Sequence, residues 1–252
     1  MADQGLVKDR DALLRMRESG RIVFEILEEL EKEVAPGVST FELDRLAEEL
    51  IARKHARPAF KGYHGFPAVL CASINEEVVH GIPSKARKLK AGDLMKLDFG
   101  VVYKGWYGDS ARTVACGTPS EEAVRLMTAT RAALEKGIAA SVVGARVGDI
   151  SHAVQSHVES KGFSVVRDFV GHGIGRALHE QQQIPNYGEK STGMQLLAGM
   201  TIAIEPMVNV GTHKVEVLDD DWTAVTLDRK LSAHFEHTIV ITESGPEILT
   251  RA

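Results

Sequence analysis

The chain has 252 residues, a formal net charge of −5, 44% hydrophobic residues and 26% charged residues. That length predicts one large domain or two small ones, with a core hiding roughly 70–75% of the unfolded surface. An acidic balance without a dominant basic block excludes a protein held to nucleic acid by charge, and no run approaches the roughly 18 apolar residues of a membrane span.

The densest basic stretch, SKARKLK (Ser84 to Lys90), reads as a solvated loop. Only two cysteines occur, Cys71 and Cys116, and no Cys-x-x-Cys pair is present. A thiolate zinc site and a disulfide scaffold are therefore not expected. The opening MADQGLVKDRDALL has no apolar secretory core, so the expectation is a soluble cytosolic protein.

In chain order, residues 1–8 read as a loose tail. Over residues 9–34, Leu13, Met16, Val23, Ile26, Leu27 and Leu30 fall at helical spacing, and Pro36-Gly37 ends the run. Ser39, with Glu42 three positions on, is a capping-box pattern opening a second helix. Strands are predicted over 68–74, 93–103 and 106–116. The second half repeats this order. Ser120 caps a helix to residue 140, RVGDISHAVQSHVESKG gives another, and strands follow over 200–210, 214–218 and 233–242. Val38 matches Val147 and Thr40 matches Asp149, which suggests an internal duplication around one shared core.

The stretch KLDFGVVYKGWYGDSARTV (Lys96 to Val114) raises a chemical question. Strand side chains alternate between faces, so Lys96 and Asp98 share one face while Leu97 and Phe99 take the other. A turn at Lys104-Gly105 sets Asp98 opposite Ala111, one diagonal step from Asp109. A turn one residue earlier makes the two aspartates direct partners. Either register puts both carboxylates on one face, unless a bulge intervenes. Like charges so placed repel, and a bound cation removes the conflict. The plainer reading has Asp109 in a turn and Asp98 facing solvent.

Glu205 ends a strand-like run, Glu236 precedes a β-branched run, and His172 lies between Gly171 and Gly173. A phosphate cradle is a poor reading of these glycines, since the Rossmann context and a P-loop lysine are missing. Four carboxylates balance two divalent cations, and an oxygen-rich set with one imidazole suits Mn, Fe, Co or Zn in a paired site. Spacing alone leaves open whether the five residues converge.

In this order the five residues resemble the type I methionine aminopeptidases of bacteria. SINEEVVHGIPS, VGHGIGRALHE, AIEPMVN and DDDWTAVTLDRKLSAHFEHTIVIT carry the likeness together with the hairpin, from about Asp9 to Leu249. The resemblance implies an α+β pita-bread fold, with two pseudo-symmetric halves (9–117 and 118–252) in one catalytic domain over 1–252. It implies that Asp98 chelates one metal, that His172 and Glu205 complete the shell of a second, and that Asp109 and Glu236 bridge. A bridging hydroxide is then the nucleophile, Glu205 the proton shuttle, and His179 the oxyanion donor. His80 is similar to the histidine that contacts the peptide beyond its first residue. Tyr63, Phe66, Cys71, Leu178 and Trp222 are the implied walls of a methionine pocket, although each also reads as ordinary core. Leu178 replaces a larger aromatic residue common in that family, and Gln181 to Gln183 depart from its usual wording.

The implied substrates are N-terminal methionyl peptides and nascent chains with a small second residue, met by a monomer at the ribosome. Since the chain begins Met1-Ala2, it is a candidate substrate for itself. Of ten histidines, His55, His152 and His157 lie in predicted helices and are given no role, whereas His64, His213, His234 and His237 are left open. The competing readings are an Xaa-Pro aminopeptidase or prolidase and a non-catalytic peptide- or ribosome-binding module on the same fold. The short interval between Glu205 and Glu236 argues against a type II relative with its long insertion there.

Overall fold

The computed structural model describes residues 6–252. The first helix, α1 (Arg10–Lys32), starts where the Asp9 side chain accepts from the Ala12 N–H at 2.8 Å. The capping box forms as the sequence predicts. Ser39 Oγ accepts from Glu42 N at 3.2 Å, and Glu42 accepts from Ser39 N at 2.7 Å, opening α2 (Thr40–Arg53). Strands β1 (Arg57–Pro58), β2 (Leu70–Ile74), β3 (Glu77–Val79), β4 (Leu94–Tyr103) and β5 (Trp106–Ala115) follow. The second half opens with α3 (Glu121–Ala140), capped by Ser120, and α4 (Val147–Ser160). Its strands are β6 (Ser164–Val165), β7 (Gly171–Gly173), β8 (Glu180–Ile184), β9 (Thr201–Ile204) and β10 (Met207–Asn209). Then come β11 (Val215–Val217), β12 (Ala224–Thr226), β13 (Ser232–His234), β14 (His237–Thr242) and β15 (Gly245–Ile248).

The first antiparallel sheet runs β1-β4-β2, with β5 also paired to β4. Helices α1 and α2 cover it, burying Ile26, Leu27, Leu30 and Leu43 against Leu97, Phe99 and Val101. The second sheet runs β15-β14-β9-β7-β8. Helices α3 and α4 cover it, with Leu134 and Ile150 packed against Ile202, Ile204 and Ile239. Each half is thus a helix pair on an antiparallel sheet, the α+β arrangement predicted from the repeated element order. Two three-stranded sheets, β13-β10-β6 and β11-β12-β3, complete the fold, and β3 joins the halves by pairing with β12.

The Lys104-Gly105 turn forms with φ of 49° and 80°, the two positive values of a type I′ hairpin. It sets Asp98 opposite Ala111 and Asp109 opposite Gly100, the first of the two registers predicted.

Three expectations need correction. The predicted strand over 200–210 is broken at Glu205-Pro206, because proline has no N–H to continue a ladder. The predicted strand over 233–242 is broken at Phe235-Glu236, where Glu236 N turns away to Ala111 O at 2.9 Å. Residues 6–8 of the expected loose tail are tied down. Val7 bridges Met200, Lys8 N donates to Gly199 O, and Lys8 Nζ meets Glu180 at 2.7 Å. Residues 1–5, and with them the question of Met1 removal, lie outside the described residues. The basic segment 84–90 is a loop as predicted, although Leu89 is buried in the first core and Arg87 pairs with Glu77. His55 falls just beyond α2, at a φ of 54°.

Gly105→Val places a β-branched residue at positive φ and is expected to lower the unfolding free energy by about 1–3 kcal/mol. Urea denaturation measures this, and an unchanged midpoint would refute the role of the turn.

Candidate active site

Five elements from both halves deliver the five predicted ligands to one cavity of about 240 Å³. Asp98 lies on β4 and Asp109 on β5. His172 lies on β7, where a Cβ at Gly171 would sit 2.4 Å from Ala203 O, so only glycine lets β7 approach β9. Glu205 and Glu236 occupy the two strand breaks, which release their backbones from the sheet direction. Asp109, His172 and Glu236 present ligand atoms that all lie within 4.8 Å of one another. His172 Nε2 is 3.6 Å from Glu205 Oε1.

Side-chain hydroxyls position these groups across the seam between the halves. Ser110 Oγ donates to Glu236 O at 2.5 Å, and Thr238 Oγ1 donates to Asp109 O at 2.8 Å. Thr113 Oγ1 both donates to His234 O and accepts from His234 N, each at 2.8 Å. These bonds stitch β5 to the 234–238 segment where no strand ladder joins them.

The electrostatics favour a cation. Burial, then Asp109, raises the Asp98 carboxyl well above its ordinary range. Burial pushes Asp109 up to about 7. Burial and the neighbouring aspartates raise Glu205, while burial, Asp109 and Glu205 raise Glu236. Burial and the nearby His179 lower His172 to about 3. Its Nδ1 donates to Gly173 O at 3.0 Å, which leaves the Nε2 lone pair for a ligand. Asp109 Oδ1 and Glu236 Oε1 are buried without a hydrogen-bond partner. Buried orphan carboxylate oxygens beside a neutral imidazole are a donor set that fits divalent metal.

His80 and His179 line the same cavity. His80 has a φ of 61°, and burial lowers its pKa to about 4. The His179 ring lies 4.2 Å from the His172 ring, and its Nδ1 is 2.8 Å from Tyr63 Oη. Tyr63, Phe66, Leu178 and Trp222 form an apolar wall, with Phe66 and Trp222 edge to face at 5.1 Å. Asp220 holds that wall by accepting from Trp222 N at 2.9 Å and Thr223 N at 2.7 Å. Cys71 pairs with Asp98 across β2 and β4, is buried on the same sheet face, and packs in one cluster with Phe66, Leu178, Tyr63 and Trp222.

Sequence reading missed Phe60, which lines the cavity, and Phe169, whose ring is 5.3 Å from His80. Neither lies in a chemically distinctive pattern. Of the histidines left open, His64 lines the cavity. His234 is buried with both ring nitrogens unpartnered, Nε2 being 4.0 Å from Glu205 Oε2. His237 bonds Thr250. Two residues before Asp98, burial lowers Lys96 to about 7, against the upward pull of Glu77.

The pattern of metallopeptidase family M24 matches residues 14–243. The chain is 52% identical over 245 residues to a methionine aminopeptidase of Clostridium acetobutylicum, covering 97% of this chain and 98% of the relative. Its structure superposes on that of a Thermotoga maritima methionine aminopeptidase with a TM-score of 0.96 at 48% identity, covering 98% and 99% of the two chains. A Pyrococcus furiosus prolidase superposes with a TM-score of 0.82 at 22% identity, over 99% of this chain and 66% of that one, a likeness of fold alone. The chain belongs to metallopeptidase family M24 and, within it, to the bacterial type I methionine aminopeptidases. The family uses divalent metal, for which the donors described here are suited.

Carboxyls raised by burial must shed protons to bind a cation, so metal binding is expected to release protons. At pH 6 Asp109, with its pKa of about 7, is mostly protonated. Apparent Mn²⁺ affinity of metal-free protein is expected to rise about ten-fold per pH unit near pH 6, for one proton released per ion. Calorimetry in buffers of different ionisation enthalpy checks this, and a pH-independent affinity would contradict it.

Proposed function

We propose that the chain is a metal-dependent aminopeptidase that removes the N-terminal methionine from polypeptides, preferentially when the second residue is small. The carrying observation is the convergence of Asp98, Asp109, His172, Glu205 and Glu236 on one cavity. Full-length likeness to methionine aminopeptidases supports it. The whole chain is read as one catalytic unit, with halves near 9–117 and 118–252. Its proposed substrates are nascent chains in the cytoplasm, met at the ribosome by a monomer. Among the described residues, no helix is long and apolar enough to cross a membrane.

Two divalent cations of the Mn, Fe, Co or Zn kind are proposed, because four carboxylates neutralise two of them. Asp98 would hold one, His172 and Glu205 the other, and Asp109 and Glu236 both. Bound there, they would polarise the scissile carbonyl and make an attacking water acidic enough to react at neutral pH.

The chain's own residues carry the protons and the fit. Glu205, with its side chain 14% exposed, accepts the proton of the attacking water and passes it to the leaving amine. Burial raises its proton affinity, which suits a group that must hold a proton between two steps. With Tyr63 Oη donating to His179 Nδ1, the neutral ring keeps its proton on Nε2. That N–H donates to the carbonyl oxygen as negative charge develops. His80 contacts the peptide beyond the first residue. Tyr63, Phe66, Leu178 and Trp222 enclose the side chain, and an unbranched thioether adapts to such an irregular apolar wall.

Wild-type protein is expected to cleave Met-Ala-Ser, to lose that activity with a chelator, and to regain it with an added divalent cation. Preferential cleavage of an Xaa-Pro peptide would reassign the activity. Glu205→Gln is expected to lower kcat about 10²–10⁴-fold. His179→Ala is expected to lower it about 10²–10³-fold, with the circular dichroism spectrum of both variants unchanged. Steady-state kinetics on Met-Ala-Ser measures both, and near-normal kcat would remove the residue from the mechanism.

A further inference from the structure

Lys96 is among the largest fully buried side chains of the described residues, at 1% exposure, and nothing in the proposed chemistry uses it. Its Nζ donates to Asn75 O at 2.7 Å and to Ser232 O at 2.9 Å. These two carbonyls come from opposite sides of the seam. Asn75 sits in the turn between β2 and β3, at a φ of 52°. Its amide donates to Asp93 at 2.8 Å and its side-chain oxygen accepts from Leu94 N at 2.9 Å, so its carbonyl is rigidly aimed. Ser232 opens β13, and its N–H also donates to Asn75 O, at 3.0 Å.

The positions along the chain give this tether a purpose. Lys96 lies two residues before Asp98 on the same strand face, and Ser232 lies four residues before Glu236. One amine therefore ties the strand carrying Asp98 to the segment carrying Glu236. An alkyl side chain would fill the same volume but leave Ser232 O without this donor and Asn75 O with the Ser232 N–H alone. The amine and ammonium forms each carry the two N–H groups required, so the tether does not depend on protonation state.

We propose that Lys96 is a positioning residue of the metal centre, its Nζ fixing the separation of the Asp98 and Glu236 segments. The proposal rests on the reading of the site given under Proposed function. Groups that orient metal ligands from behind typically change metal affinity or activity about 10–100-fold when removed.

The test compares wild type, Lys96→Met and Lys96→Ala as metal-free proteins. Mn²⁺ affinity is measured by calorimetry, folding by melting temperature, and KM and kcat on Met-Ala-Ser at saturating Mn²⁺. Lys96→Met, which keeps the bulk and loses the donors, is expected to bind Mn²⁺ about ten-fold or more weakly. Lys96→Ala is expected to regain Mn²⁺ affinity with added methylammonium and not with tetramethylammonium, which has no N–H. Should Lys96→Met fail to fold, the methylammonium response of Lys96→Ala decides. Wild-type Mn²⁺ affinity in either variant would overturn the proposal. So would a loss that follows melting temperature alone without methylammonium rescue. Wild-type protein that neither binds Mn²⁺ nor cleaves Met-Ala-Ser would overturn the underlying reading instead, which separates the two failures.

Discussion

Four carboxylates share one cavity, and burial pushes all of them toward the neutral form. The rest of the structure can be understood as the means of holding them there. Ionised together without a counterion they would repel one another and drive the segments apart, and desolvation adds to that cost. The fold opposes this with neutral bonds across the seam, from Ser110, Thr113 and Thr238, each joining β5 to the 234–238 segment. Lys96 adds its two bonds where β4 meets the start of β13. A hydroxyl that both donates and accepts, as Thr113 does with His234, binds two backbones without introducing a charge.

The strand breaks have a related logic. A side chain in a regular strand points straight out of the sheet. Glu205 and Glu236 face a cavity between two sheets, and each sits where its strand is interrupted. Pro206 enforces the first break by lacking a donor, and the turn of Glu236 N toward Ala111 O makes the second. The same irregularity frees these backbones from their own sheets: Ser110 and Ala111 of the other half partner Glu236, while Asn186 of the same half donates to Glu205 O at 3.1 Å. The site is complete only where the two halves meet.

The fold accommodates more than one peptidase. The same backbone arrangement recurs in a prolidase at 22% identity, so architecture alone does not select a substrate. On the proposed reading, selection rests on the walls: the Phe66 and Trp222 rings, Tyr63 against His179, and Leu178. Trp222 owes its place to Asp220 and Thr223, so the acidic triplet at 219–221 serves as a turn rather than as a charge cluster. Cys71, the cross-strand partner of Asp98, packs in the same cluster as Phe66 and Leu178.

Much of this was legible in the residues themselves. The capping box at Ser39, the helix pairs and the Lys104-Gly105 hairpin follow from local rules, and local rules survive because each is satisfied within a few residues. That hairpin alone puts Asp98 and Asp109 on one sheet face. Periodicity, by contrast, ran the strands straight through Glu205 and Glu236, because a ladder is broken by partners distant in sequence. The same limit hid the Lys96 tether and the tie of residues 6–8 to the 199–200 segment and to Glu180. The sequence alone determined which groups could bind a cation and which elements would carry them. Only the tertiary structure decided that they meet, because their meeting depends on seam bonds between segments more than a hundred residues apart.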